Sequence, residues 1–204
     1  MNRKIAPFID IVRLEDKETQ LKSFVRSVVE QSQVRSASSE AANTVLLIAR
    51  SIDSPVAKAV ASLVREGAIT TSVKLILALP PRQEAEGDNS FDTFSALTGS
   101  NGGRIIRDIR LFDAHEQLVL SQTASWVGDC MRRDPMKRDA YECYAADCGK
   151  TAGWAKTSFD RLWETCEPMP DDLFQLAKPA DPEVCLPAVA AEETANDLLG
   201  SSSS

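Results

Sequence analysis

The chain is poor in most of what catalytic and metal chemistry draws on. A single histidine, His115, occurs among 204 residues, so any imidazole chemistry has to pass through that position. The five cysteines (Cys130, Cys143, Cys148, Cys166 and Cys185) form no CxxC pair, which excludes the ligand spacing of the common zinc sites. No metal or cofactor is therefore expected, and the thiols read as reduced. No Gly-x-Ser-x-Gly elbow occurs, so that route to a serine hydrolase is closed. The glycine-rich stretch Gly99-Ser-Asn-Gly102-Gly103 leads into a strand candidate and not a helix, so it lacks the geometry of a phosphate-binding loop. No apolar run approaches the ~20 residues that span a bilayer, and Pro7 and Asp10 interrupt any leader-like core. A membrane is not expected, and the chain reads as cytoplasmic. An excess of basic residues is missing too. With 23 Lys and Arg against 30 Asp and Glu the formal charge is -7, which opposes non-specific attraction to nucleic acid. Nucleic acid is not an expected partner.

What is present is ordinary globular material, 43% hydrophobic and 26% charged, enough for one packed domain. After an irregular start over 1–13, the segment Asp16 to Val34 carries Leu21, Phe24, Val25, Val28 and Val29 at helical spacing. Residues 1–43 thus read as an N-terminal extension holding an amphipathic helix, which covers the sheet or mediates assembly. Thr44 to Ala49 is a short continuous apolar run, the pattern of a strand covered on both faces. Asp53 or Ser54 can then cap a helix that Pro55 opens, lined by Val56, Val60, Leu63 and Val64 and ended by Gly67. A second buried strand comes next over Thr71 to Leu79, and this strand-helix-strand unit predicts a parallel crossover. Phe91 to Thr98 reads as a short helix, Arg104 to Phe112 as a strand, and Ala140 to Ala146 as another. The closing helix presents Ala155, Phe159, Leu162, Trp163 and Cys166 on one face. From Pro179 to Ser204, Pro, Ala, Glu and Ser dominate, as in a flexible acidic, Ser-rich tail. There is no internal repeat.

The sole histidine stands in His115-Glu-Gln117-Leu-Val-Leu-Ser-Gln122, with Ala124-Ser-Trp-Val-Gly128-Asp129 after it. These residues read as a β-hairpin turning at Ser121 to Thr123. The hairpin, the element order around it and the closing Phe159-Asp-Arg-Leu-Trp163 resemble one repeat of the phospholipase D superfamily. That family's pattern is His-x-Lys-x-x-x-x-Asp and then Gly-Ser-x-Asn. The resemblance covers about Thr44 to Cys166 and implies an α/β fold, a phospholipase D-like mixed sheet flanked by helices, in a domain spanning 44–178.

The resemblance also implies what the site would need. Active members pair two such motifs across a cleft, one histidine attacking phosphorus while the other protonates the leaving group. With one motif per chain, a homodimer is the expected assembly. Glu142 matches an acidic residue that the resemblance implies orients the histidine, so His115 and Glu142 form the carried-over catalytic pair. His115 is expected to point from its strand into a cleft. The family lysine is Gln117 here and the serine is Asp129, while Gln122 and Met131 replace two further polar groups. A neutral amide supplies only a dipole where a phosphodiester transition state needs fixed charge. Arg132, Arg133 and Lys137, in the loop after the hairpin, are the residues that could restore it. Gln117, Asp129, Arg132, Arg133 and Lys137 are thus the candidate ligand-binding set, for a phosphate-containing ligand or a protein partner. Two functions are compatible with this. One is a catalytically degenerate phospholipase D-like domain acting as a dimeric binding or scaffold protein. The other is a divergent homodimeric phosphodiesterase or nuclease using His115 as nucleophile. The charge around His115 favours the first.

Overall fold

The run Val45–Ala49 is buried at all five positions, and it lies at the centre of the molecule because both of its faces are apolar. The computed structural model describes residues 7–35, 44–79, 89–98, 102–132 and 140–169. β1 (Phe8–Val12) precedes α1 (Leu14–Arg35), β2 (Val45–Ala49), α2 (Pro55–Arg65), β3 (Val73–Leu77), α3 (Asn89–Thr98) and β4 (Gly103–Ile105). A 3-10 turn (Ile109–Asp113) then leads to β5 (His115–Val119), β6 (Ser125–Cys130), β7 (Ala140–Ala145), α4 (Gly149–Thr165) and β8 (Glu167–Pro168). Among the described residues eight strands form one mixed sheet in the order β1-β7-β6-β5-β2-β3-β4-β8. β2, β3 and β4 run parallel, with Leu47 opposite Leu75 and Leu75 opposite Gly103. β5 returns antiparallel beside β2, Leu47 opposite Leu118.

Side-chain alternation along β2 sorts the interior into two layers. Leu47 and Ala49 join Leu75, Leu77, Leu118 and Trp126 in a core covered by α1, α2 and α3. Leu46 and Ile48 join Ile76, Val119, Phe159 and Leu162 in a second core beneath α4. α2 follows its punctuation except at the cap, where Ser54 makes no side-chain cap hydrogen bond and its Oγ accepts from the Ser51 amide at 3.0 Å. Pro55 sits in its first turn, and Gly67 leaves it at φ 71°. The Gly67 amide donates to Val64 and the Ala68 amide to Leu63, the paired closure of a Schellman end that a left-handed glycine permits.

Two expectations need correcting. The start of the chain is not irregular, because Phe8–Val12 adds to the sheet as an edge strand antiparallel to β7. Its pattern gave no such signal, since four of its five residues are exposed. α1, for its part, takes the first of its two expected roles and covers the sheet, packing into the same core as β2 and α2 with Leu21 and Val25 fully buried. Finally, Arg104 to Phe112 is not one strand. Pairing stops at Ile105, and Asp108, whose side chain accepts from the Arg110 amide, starts the 3-10 turn instead. Among the described residues no helix is long and apolar enough to cross a membrane, and no cluster of His, Cys, Asp and Glu could hold a metal ion. The tail from 179 lies outside the described residues.

Because α1 shares the core, Leu21→Ala should destabilise the whole protein by about 2–5 kcal/mol. Urea denaturation monitored by far-UV circular dichroism should show one transition, moved to lower denaturant. A separate early step confined to helix loss would show instead that α1 is an independent appendage.

Candidate functional site

β5 starts where β2 ends, because the two strands are antiparallel neighbours. His115, the first residue of β5, therefore stands at the edge formed by the C-terminal ends of the parallel strands, where open α/β sheets place ligands. His115 is exposed, where the expectation had it turned away from bulk solvent. Nδ1 lies 2.8 Å from the Gly128 carbonyl oxygen. A carbonyl only accepts, so Nδ1 carries the proton, and in the neutral tautomer the lone pair lies on Nε2, which has no hydrogen-bond partner among the described residues. The residue held opposite is a glycine for a separate reason. A Cβ on Gly128 would come within 2.4 Å of the Trp126 indole, which lies fully buried in the first core. The pairing of β5 with β6 shifts between His115 and Gln117, a bulge that re-aims the histidine at the strand end.

The expected pair of His115 and Glu142 does not form. Glu142 lies in the opposite layer, under α1, and is fully buried. It accepts from Trp126 Nε1 at 3.0 Å and from the Tyr144 hydroxyl at 2.7 Å, while Lys17 Nζ reaches its other oxygen at 2.8 Å. Strand parity explains this. Trp126 stands opposite Tyr144, Glu142 is two residues from Tyr144, and all three therefore face α1. Burial, reinforced by the hydrogen bond to Glu142, holds the Tyr144 phenol protonated well above its ordinary range.

The carboxylate next to the histidine is Glu116, which reasoning from the family pattern misses. Its side chain turns into the same buried layer. Oε1 accepts from the Arg50 amide at 3.0 Å, tying β5 to the end of β2, and Oε2 lies 3.6 Å from Lys17 Nζ. Lys17 therefore brings one ammonium between two carboxylates, all three side chains at most 7% exposed, with the Trp126 ring 5.2 Å away. A signal for it existed. Lys17 precedes Leu21, Phe24, Val25 and Val28 at intervals of four, seven, eight and eleven, so it occupies the apolar stripe of α1 and not its solvated face.

The other candidates are scattered. Gln117 is buried beneath α4 and donates through Nε2 to Ser158 Oγ at 3.2 Å. Its Oε1 has no hydrogen-bond partner among the described residues. Asp129 accepts from the Cys130 amide at 2.8 Å. Arg132 does fold back toward the strand that carries His115, but its Nε meets Asp113 Oδ1 at 3.1 Å, so its charge is offset by a carboxylate two residues before the histidine. Arg133 and Lys137 lie outside the described residues. Gln122 sits in the turn at the far end of the hairpin, away from His115.

No family model matches the sequence, and no curated protein matches it. Solved structures do. The chain is similar to Nuc, a phospholipase D family member from Salmonella typhimurium, with a TM-score of 0.51 at 11% identity over 80% of this chain and 99% of that one. It is also similar to NucT from Helicobacter pylori, TM-score 0.49 at 12% identity over 80% and 99% of the two chains. A third likeness is to the archaeal chromatin protein TrmBL2, whose structure shows a mode of DNA binding, with a TM-score of 0.46 at 15% identity over 81% of this chain and 55% of that one. At such identities the Nuc likeness speaks for the fold alone, and the fold is phospholipase D-like.

Two outcomes are expected from this geometry. Lys17→Met leaves two buried carboxylates without their cation and should cost about 3–5 kcal/mol in thermal or urea unfolding. Adding Glu142→Gln to that variant should recover part of the loss, and strict additivity would show that the contacts are not coupled. Separately, Glu142→Gln should leave the His115 titration curve, measured by NMR at the ring Cε1 proton, superimposable on that of the parent. A displaced curve would mean that the two side chains communicate across the sheet.

Proposed function

We propose that this chain is a phospholipase D-like domain that binds without hydrolysing, acting as a homodimeric binding or scaffold protein for a phosphate-containing ligand or a protein partner. The observation that carries this reading is the fate of Gln117. The strand position two residues past the histidine, where the resemblance calls for a lysine, holds a neutral amide engaged with Ser158 under α4. Of the basic residues expected to replace it, Arg132 is the described one, and its guanidinium is paired with Asp113. A phosphoryl group at His115 would meet the imidazole without a lysine at the family position and, in Arg132, an arginine already paired with a carboxylate. Removing one charged transition-state contact costs ~10²–10³ in rate, about 3–4 kcal/mol, and in a dimer the loss occurs in both halves of the site.

The free Nε2 is also what a divergent phosphodiesterase would use as nucleophile, so a single assay separates the two readings. The purified protein is incubated with bis-p-nitrophenyl phosphate and with single-stranded DNA, beside a His115→Ala variant. The expected result is that wild type and variant are indistinguishable from each other and from buffer. Turnover in the wild type that disappears in His115→Ala would overturn the binding reading and establish the enzyme.

A further inference from the structure

At the end of the sheet opposite His115 lies a cavity of about 490 Å³, within the roughly 300–1,000 Å³ typical of small-molecule sites. It opens between the start of β2, the turn after β5 and the first half of α4. Its floor is apolar, made by the buried Leu46, Val119 and Ala152. Its rim carries two cations, Lys74 and Lys156, and one anion, Asp160. Lys156 is committed to Asp160, one turn along α4. Lys74 is not committed in this way. Its ammonium lies 5.3 Å over the Trp163 ring and forms no ion pair among the described residues. Ser121, also on the rim, is poised as a donor. Its oxygen accepts from the Thr123 amide at 3.2 Å and the Ala124 amide at 3.0 Å, which leaves its own proton uncommitted.

We infer that this cavity is a binding site for a small organic anion with an apolar body, its carboxylate or phosphate held by Lys74 and Ser121 and its hydrocarbon lying on Leu46, Val119 and Ala152. Charge complementarity carries the choice of ligand. The three charged rim residues sum to +1 in a chain of net charge -7, so an anion is drawn to this place by local contacts and not by the field of the whole molecule. The apolar floor excludes a bare inorganic ion as the best fit, because it would leave that surface wet. The site is independent of His115 and of the proposal made for it.

The test uses the full chain, with n-octyl phosphate as probe, in isothermal titration calorimetry. One site per chain is expected. Lys74→Gln should weaken binding about tenfold or more, the scale of one charge-assisted contact. Gly153→Leu should abolish it. Gly153 lines the cavity, and a Cβ built there meets nothing within 4 Å. The leucine therefore fills the mouth while improving the helix, and a melting temperature at or above that of the parent will show the variant folded. Inorganic phosphate and the neutral n-octyl glucoside should each bind far more weakly, and His115→Ala should bind as the parent does. Equal affinity across parent, Lys74→Gln and Gly153→Leu would overturn the inference. So would octyl glucoside binding as tightly as octyl phosphate, no detectable octyl phosphate binding, or loss of binding in His115→Ala but not in Lys74→Gln.

Discussion

One ammonium group holds the first layer of this protein together. Lys17 enters the interior from α1 and meets Glu142 and Glu116, which belong to β7 and β5. Through Glu116 the same charge reaches the backbone of Arg50 at the end of β2. Hydrophobic burial alone would let α1 slide or rotate over a sheet of similar apolar side chains. A buried cation between two fixed carboxylates does not allow that, because any displacement strands a charge in a poorly polarisable interior. The arrangement also explains why α1 and β1 belong to the same body as the central strands, although the sequence marks them as an extension.

How much of this was legible depended on which signal each element carried. β2, α2 and β3 announced themselves through continuous apolar runs and through Pro55 and Gly67, and they formed where expected. β1 hid because its edge position leaves Phe8, Ile9 and Ile11 exposed, so no buried face was written into its pattern. The stretch after β4 hid because Asp108 offers the backbone a local partner that competes with strand pairing. At the candidate site, the place of His115 at the head of a hairpin strand was readable from its neighbours. The orientation of Glu142 was not. It depends on the parity of β7 relative to β6, and a one-residue difference in register sends a side chain to the other face. Lys17 could have been found by asking why a lysine sits in an apolar stripe.

The two faces of the sheet thus have different chemical characters. The α1 face buries its charged groups and satisfies them, and it is a structural interior. The α4 face meets solvent at both ends of β5, with an imidazole nitrogen open at one end and a cation-rimmed cavity at the other. Both features use side chains left over once packing is satisfied, as sites grafted onto a shared fold do.

The three tryptophans fall on different sides of this division, and that gives the molecule a built-in optical readout. Trp126 is fully buried in the α1 layer, Trp163 stacks on Phe159 in the α4 layer, and Trp154 is 66% exposed on the outer surface of α4. Trp154 already sees water, so loosening of the fold changes its emission little. Trp126 is surrounded by a carboxylate and an ammonium, whereas Trp163 lies against the cations of Lys74 and Arg104. The fluorescence of the intact chain therefore contains two separable reporters, one for each layer. Replacing Trp154 and then either of the others by phenylalanine would let the opening of one face be watched while the other stays shut.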